Sequence, residues 1–283
     1  MKIECVWEHN GNDTLLYATD LPGAYSRGST LEEAMLKMPS EVRAYLLWAG
    51  RSIPDDIETV VVQDAPCTLA VCDADSDVLF DMERSPLSPE EYKALKTLTL
   101  RSAKCFQELY DAIPTKDVCS DPVRKTFYGQ VPRTAEEMYR HTKNVNAYYF
   151  AELGIEADNE GSILECRLRG FDLLEQHPDF PDLKPTEGSY GEWWSLRKLF
   201  RRFLWHDRIH AKAMYRMAKR NGMGDRIPDP FGFVSSKYAH KRAGGTLCNE
   251  DITRHMTTDT VRSTVSHCNG SMMHRLLSLR ILY

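Results

Sequence analysis

No two of the eight cysteines (Cys5, Cys67, Cys72, Cys105, Cys119, Cys166, Cys248 and Cys268) stand in a CxxC spacing, and they follow no framework pattern. This argues against a disulfide scaffold, and the thiols read as reduced, several of them buried. No stretch approaches the roughly 18 apolar residues of a membrane-spanning helix. The opening MKIECVWEHNGND has no apolar run of the kind a signal peptide needs. The expectation is a cytoplasmic protein with no membrane partner. Nor is there an excess of one charge: 36 Lys and Arg face 41 Asp and Glu, a formal net of -5. That balance gives no general reason to expect nucleic acid as a partner. No internal repeat or low-complexity segment occurs. What is present is a chain of 283 residues, 42% hydrophobic and 27% charged. It can bury a real core and is long enough for two domains.

The first 65 or so residues read as β-β-β-α-β. In KIECVWE, Ile3, Cys5 and Trp7 alternate at period two, as in a half-buried strand. HNGND is a turn, TLLYATD a second strand, and Pro22, Gly23 and Gly28 bracket a short third. Thr30-Leu31-Glu32-Glu33 is a capping box that starts a helix carrying Leu31, Ala34, Met35, Met38, Val42, Leu46 and Leu47. Pro39 should kink or split that helix. IETVVVQD, between Pro54 and Pro66, is a further strand.

The run DLPGAYSRGSTLEEAMLKMPSEVRAYL, Asp20 to Leu47, resembles the HicB family of antitoxin domains. The likeness lies in the D-L-P-G turn, the short strand, the glycine and the T-x-E-E-A helix start. It covers about a quarter of the chain and implies a small α/β domain over residues 1–71, able to bind a protein partner. HicB antitoxins usually continue into a DNA-binding segment, and no helix-turn-helix or ribbon pattern follows here.

Residues 72–87, CDADSDVLFDMERSPL, are acidic and proline-broken and read as a linker with room for one more strand. The apolar period then changes from two to about 3.6. Ser88-Pro89-Glu90-Glu91 starts a helix with Leu95, Leu98, Phe106, Leu109 and Ile113 as its stripe. Thr134-Ala135-Glu136-Glu137 opens a second that ends near Gly154, and SILECRLRGFDLLEQ a third with Leu164, Leu168, Phe171 and Leu174 in step. The longest, from Gly191 to Gly222, ends in a basic turn that suits the helix dipole. Four amphipathic helices with intervening loops predict an all-α, up-down four-helix bundle over residues 88–233. Residues 234–283 lack sustained periodicity and read as a largely irregular or disordered tail. Its His240, Cys248, His255, His267 and Cys268 have no finger-like spacing, so no zinc site is read there.

FLWHDRIHAKAMYR, residues 203–216, places His206 and His210 four apart. Nine histidines scattered at random would give such a pair on the order of 0.3 times, so spacing alone decides little. Position says more. His206 and His210 fall on the stripe Leu199, Phe203, His206, His210, Ala213, Met217, and His141 falls on Met138, His141, Val145, Tyr148 of the second bundle helix. Three core-facing imidazoles from two helices of one bundle can converge on one divalent ion, zinc or nickel ahead of iron or cobalt.

Residues 88–233 also resemble the DinB-like superfamily of four-helix metal-binding proteins, which is grouped with bacillithiol- and mycothiol-dependent transferases. The matching residues are His141 in MYRHTKNVNAYYFAEL, and His206 and His210 in LWHDRIHAKAMYR; the Pro-Phe-Gly-Phe near residue 230 resembles how some members end. The resemblance implies a metal held by His141, His206 and His210. It implies a thiol S-transferase or hydrolase acting on a small electrophile, with a low-molecular-weight thiol as one co-substrate, and a homodimer. No residue stands out as general base. Two rival readings stay open: a metal sensor whose HicB-like domain binds a partner, and a dimerising bundle in which the histidines only pack. Around the site, Asp207 reads either as an orienter of a ligand histidine or as an exposed acid beside Arg208 or Lys212. Tyr148 and Tyr149 are candidates for the pocket mouth, Trp193 and Trp194 for packing, and Arg201 and Arg202 for either an anion site or a solvated basic face.

Overall fold

A computed structural model describes residues 1–119, 121–126, 129–223 and 226–233; the expected tail and its histidines and cysteines lie outside these. Strand β1 (Lys2–His9) turns back into β2 (Thr14–Ala18) because the Asn10 side-chain oxygen accepts from the backbone N–H groups of Asn12 and Asp13, both at 2.9 Å. β2 continues antiparallel to β3 (Tyr25–Gly28), and after helix α1 (Leu31–Trp48) strand β4 (Glu58–Pro66) lies parallel to β1. The sheet order is β3-β2-β1-β4, so the β-β-β-α-β arrangement is present. Thr30 caps α1 by accepting from the Glu33 N–H, while the Glu33 carboxylate accepts from the Ser29 N–H at 2.9 Å.

α1 runs through Pro39 without a break. A proline inside a helix costs about 3 kcal/mol, but Ala34 and Met38 before it and Val42 and Tyr45 after it are fully buried in one cluster and fix both halves on the same surface. β1 also departs from the half-buried expectation. Ile3, Cys5 and Leu16 pack with Met38 and Val42 of α1. Val6, Leu15 and Tyr17 are covered by Phe80 and Trp205, residues far away in sequence. Residues 72–87 therefore pack as part of the interior. They hold no strand, only single 3-10 turns at Val71–Asp73 and Asp81–Arg84, and they bury Ser76, Leu79, Phe80 and Glu83.

Helices α2 (Pro89–Ala112), α3 (Ala135–Ala151) and α4 (Ile163–Glu175) each begin at a Ser or Thr whose side chain accepts from the backbone of a glutamate three residues on, and that glutamate reaches back to the cap. α2 packs on α4 and α5, and α3 on α4 and α5, where α5 is Leu196–Arg220. α5 starts five residues later than the sequence pattern indicates. Trp193–Trp194 pairs instead as a short strand β6 with β5 (Thr186–Glu187), and Ser195 takes the cap by accepting from Lys198 N–H at 3.1 Å. In α4 the buried row is Ile163, Arg167, Gly170 and Leu174, while Leu168 is 38% exposed. Gly170 lies where a side chain would run into the Phe150 ring, so that ring of α3 packs directly on the α4 backbone. The result is a mixed α+β chain with five helices among the described residues. No helix among them is long and apolar enough to cross a membrane. All six described cysteines are free.

The sheet unit meets α5 at the L-P-G turn. Gly23 has φ +91°, and a Cβ there would sit 2.6 Å from Leu204 Cβ and 2.8–2.9 Å from the Leu204–Trp205 backbone. Both the left-handed backbone and the close approach require glycine. Gly23→Ala should lower stability by about 2–4 kcal/mol, read as a drop in the urea midpoint at constant m-value.

Candidate metal centre

α3 carries His141 on a face shared with Val145 and Tyr149; α5 carries His206 and His210 one turn apart. Where α3 packs on α5 the three rings meet. His141 Nε2 and His206 Nε2 are 3.2 Å apart. The three ring centroids lie 4.5 to 5.1 Å from one another, and one ligand atom from each falls within a 4.8 Å span. His206 and His210 are each only 9% exposed. The cluster could hold a metal ion. Two nitrogens on a tetrahedral ion at about 2.0–2.1 Å stand about 3.3–3.4 Å apart, close to the His141–His206 separation, and the set needs to close by little more than 1 Å elsewhere. Burial pulls the His141 pKa down to about 4. It pushes those of His206 and His210 down as well, with the neighbouring imidazoles adding to the effect. All three are thus neutral at pH 7, the form that ligates metals. His206 Nδ1 is buried without a hydrogen-bond partner among the described residues.

The surroundings correct several expectations. Asp207 is neither a solvent-exposed acid nor paired with its neighbours on α5. It is 0% exposed and accepts from Arg167 Nη1 of α4 at 2.7 Å, with the Arg167 guanidinium 4.1 Å from the Phe203 ring. Burial raises the Asp207 pKa, and Arg167 pulls against that. Arg208 and Lys212 both donate to Glu41 of α1, at 2.7 and 2.5 Å. Arg201 is held by Glu83. Arg202 is half-buried beside the rings of Tyr149, Trp194 and Trp205. The basic face is therefore turned inward. Tyr149 is 2% exposed with its ring 6.1 Å from His206, while Tyr148 packs edge-on to Trp194. Trp194 is fully buried and Trp193 is 45% exposed.

Arg167 had not been singled out, although its place in the α4 row 163-167-170-174 marks it: a charge in step with buried positions needs a buried partner. A groove of about 970 Å3 lies elsewhere, between the end of α3 and residues 177–189, and includes none of His141, His206 and His210. Comparison of the chain with protein-family models, with curated proteins and with solved structures finds no match.

In the metal-free protein the histidines link stability to pH. The unfolded chain binds their protons near 6.5, the folded chain only further down, at about 4 for His141. Within that window the unfolded chain holds more protons, so stability falls as pH drops, by up to ~1.4 kcal/mol per pH unit per histidine. The slope fades as pH rises through 6.5 and is gone by about pH 8. Urea unfolding at pH 7, 6 and 5 reads this directly. Asp207→Ala leaves the Arg167 charge buried alone and should cost about 3–5 kcal/mol; adding Arg167→Met should recover part of the loss in the same unfolding assay.

Proposed function

We propose that residues 88–233 form a DinB-like four-helix bundle that binds one divalent transition metal, zinc or nickel, through His141, His206 and His210. On this reading the protein is a metal-dependent thiol S-transferase or hydrolase acting on a small electrophile, and residues 1–71 are a HicB-like domain. The observation that carries it is the meeting of three neutral, buried imidazoles from two helices, with one nitrogen pair at 3.2 Å. A divalent ion held by three histidines keeps a coordination position open and lowers the pKa of a bound water or thiol.

The chain's own residues supply the rest. α3 and α5 hold the imidazoles neutral and aimed at one point, and Tyr149 and Phe203 pack beside them as an apolar wall. Five of the described thiols are poor candidates for the nucleophile. Burial pushes Cys5 up to about 12 and Cys67 up to about 11, and raises Cys72, Cys105 and Cys166 too. On this reading the transferred thiol belongs to a low-molecular-weight co-substrate.

One observation favours a second reading, a metal sensor that signals to a partner. The Gly23 turn touches α5 at Leu204 and Trp205, directly before His206, so the sheet unit lies within reach of any movement of the site.

Elemental analysis of the full chain beside the double variant His206→Ala, His210→Ala tests the metal reading. About one equivalent of transition metal in the parent and none in the variant is the expected result. A parent that stays metal-free after incubation with zinc or nickel salts would overturn it. Turnover of thiol and electrophile pairs by the loaded protein separates enzyme from sensor.

A further inference from the structure

The groove of about 970 Å3 between the end of α3 and residues 177–189 is of a size that holds small molecules. Its walls carry the carboxylates of Glu152, Asp179, Asp182 and Glu187 against one cation, Lys184. Asp179, Asp182, Glu187 and Lys184 are exposed, and none of them forms an ion pair among the described residues. His177 is the remaining titratable side chain of the wall, and its Nδ1 accepts from the Asp179 N–H at 3.2 Å. The C-terminal end of α3, the negative end of its dipole, borders the groove at residues 151–154.

Exposed carboxylates are well hydrated and select nothing by themselves. Glu152 differs: it is 5% exposed and has no ion pair among the described residues. Its Oε2 accepts from the Ser189 N–H of the facing segment at 2.6 Å, while its Oε1 is buried without a hydrogen-bond partner. Gly188 lies so close to this carboxylate that no side chain fits at 188, so the wall of the groove is closed against the charge. A carboxylate deprived of both solvent and a counter-ion projects its field into the adjoining opening. It acts from beneath the surface, and the exposed carboxylates are the groups a ligand touches. Beside them Trp193 is 45% exposed and stands directly opposite Glu187 in the pairing of β5 with β6, so the indole and that carboxylate share a face. An indole next to a carboxylate is a receptor for an ammonium group.

The cation that fits is extended. A metal ion would need three ligand atoms to converge, and among the described residues only those of His141, His206 and His210 do so. Leu153, Phe180 and Leu183 also line the groove and offer apolar surface to a hydrocarbon chain. A polypeptide finds little to pair with, because Pro178, Pro181 and Pro185 have no N–H and β5 is only two residues long. We propose that this groove binds an aliphatic polyamine, a small molecule with two or more ammonium groups on a methylene chain. The ammonium groups meet Asp179, Asp182 and Glu187, the Glu152 charge attracts them from below, and the chain lies on the apolar side chains. The groove shares no residue with the histidine cluster, so this proposal and the metal reading fail separately.

The full-length protein is titrated calorimetrically at constant pH and ionic strength, with metal content measured on each preparation. The probes are spermidine, 1,4-diaminobutane, butylamine, 1,4-butanediol and the peptide acetyl-Lys-Gly-Lys-amide. Spermidine should bind about tenfold or more tightly than butylamine, since each added ammonium group gains a carboxylate, and the diol should not bind. The triple variant Asp179→Asn, Asp182→Asn, Glu187→Gln should weaken spermidine about tenfold. A control of equal charge, Asp55→Asn, Asp56→Asn, Glu58→Gln, alters exposed residues of the sheet unit and should leave binding within about twofold. Glu152→Gln removes the buried charge and should weaken spermidine severalfold. Spermidine binding no tighter than butylamine in the parent protein overturns the proposal, whether or not the variants fold. So does a control variant that loses as much as the groove variant, which would mark general attraction to an acidic surface. Tighter binding of the peptide than of 1,4-diaminobutane, which carries the same charge, overturns the assignment to a small molecule.

Discussion

The arrangement of this protein depends on keeping the charges of α5 out of water. Arg201, Lys198, Asp207 and Arg208 are all at most 2% exposed, and the side chains that neutralise them come from elsewhere: Glu83, Glu192, Arg167 of α4 and Glu41 of α1. Such pairs add little net stability, because desolvation offsets most of the Coulomb gain, but leaving one member alone is expensive. Their effect is selective. An assembly that failed to bring α1, α4 and the 72–87 segment to α5 would strand several buried charges at once.

The histidine cluster is the other side of the same design. α5 spends its charged positions on its neighbours and presents neutral imidazoles to α3. Phe203 and Tyr149 stand beside them, so the surroundings are dry and weakly screening.

Local signals were legible in the sequence. Thr30, Ser88 and Thr134 each cap the helix expected of them, since a cap is decided by residues three apart. The three histidines were legible as well, because helical period places them on faces that must be buried. What could not be read locally were the partners. Glu83 and Arg201 stand 118 positions apart and Glu41 and Arg208 167 apart, so α5 looked like an ordinary basic helix and residues 72–87 like a linker. The start of α5 was misplaced for a related reason: Trp193 and Trp194 suit a helix or a strand, and pairing with Thr186–Glu187 decided between them. Pro39 yielded to packing on either side of it.

Three consecutive residues of α5 address three different parts of the molecule. Trp205 packs against the sheet through Tyr17 and Tyr25, His206 faces His141, and Asp207 binds Arg167. Successive side chains leave a helix about 100° apart, so these contacts act together as a stop against rolling. α5 has one angular setting, fixed by an aromatic roof and an ion pair that touch no ligand. The orientation of two of the three histidines is thereby decided when the chain folds rather than when something binds.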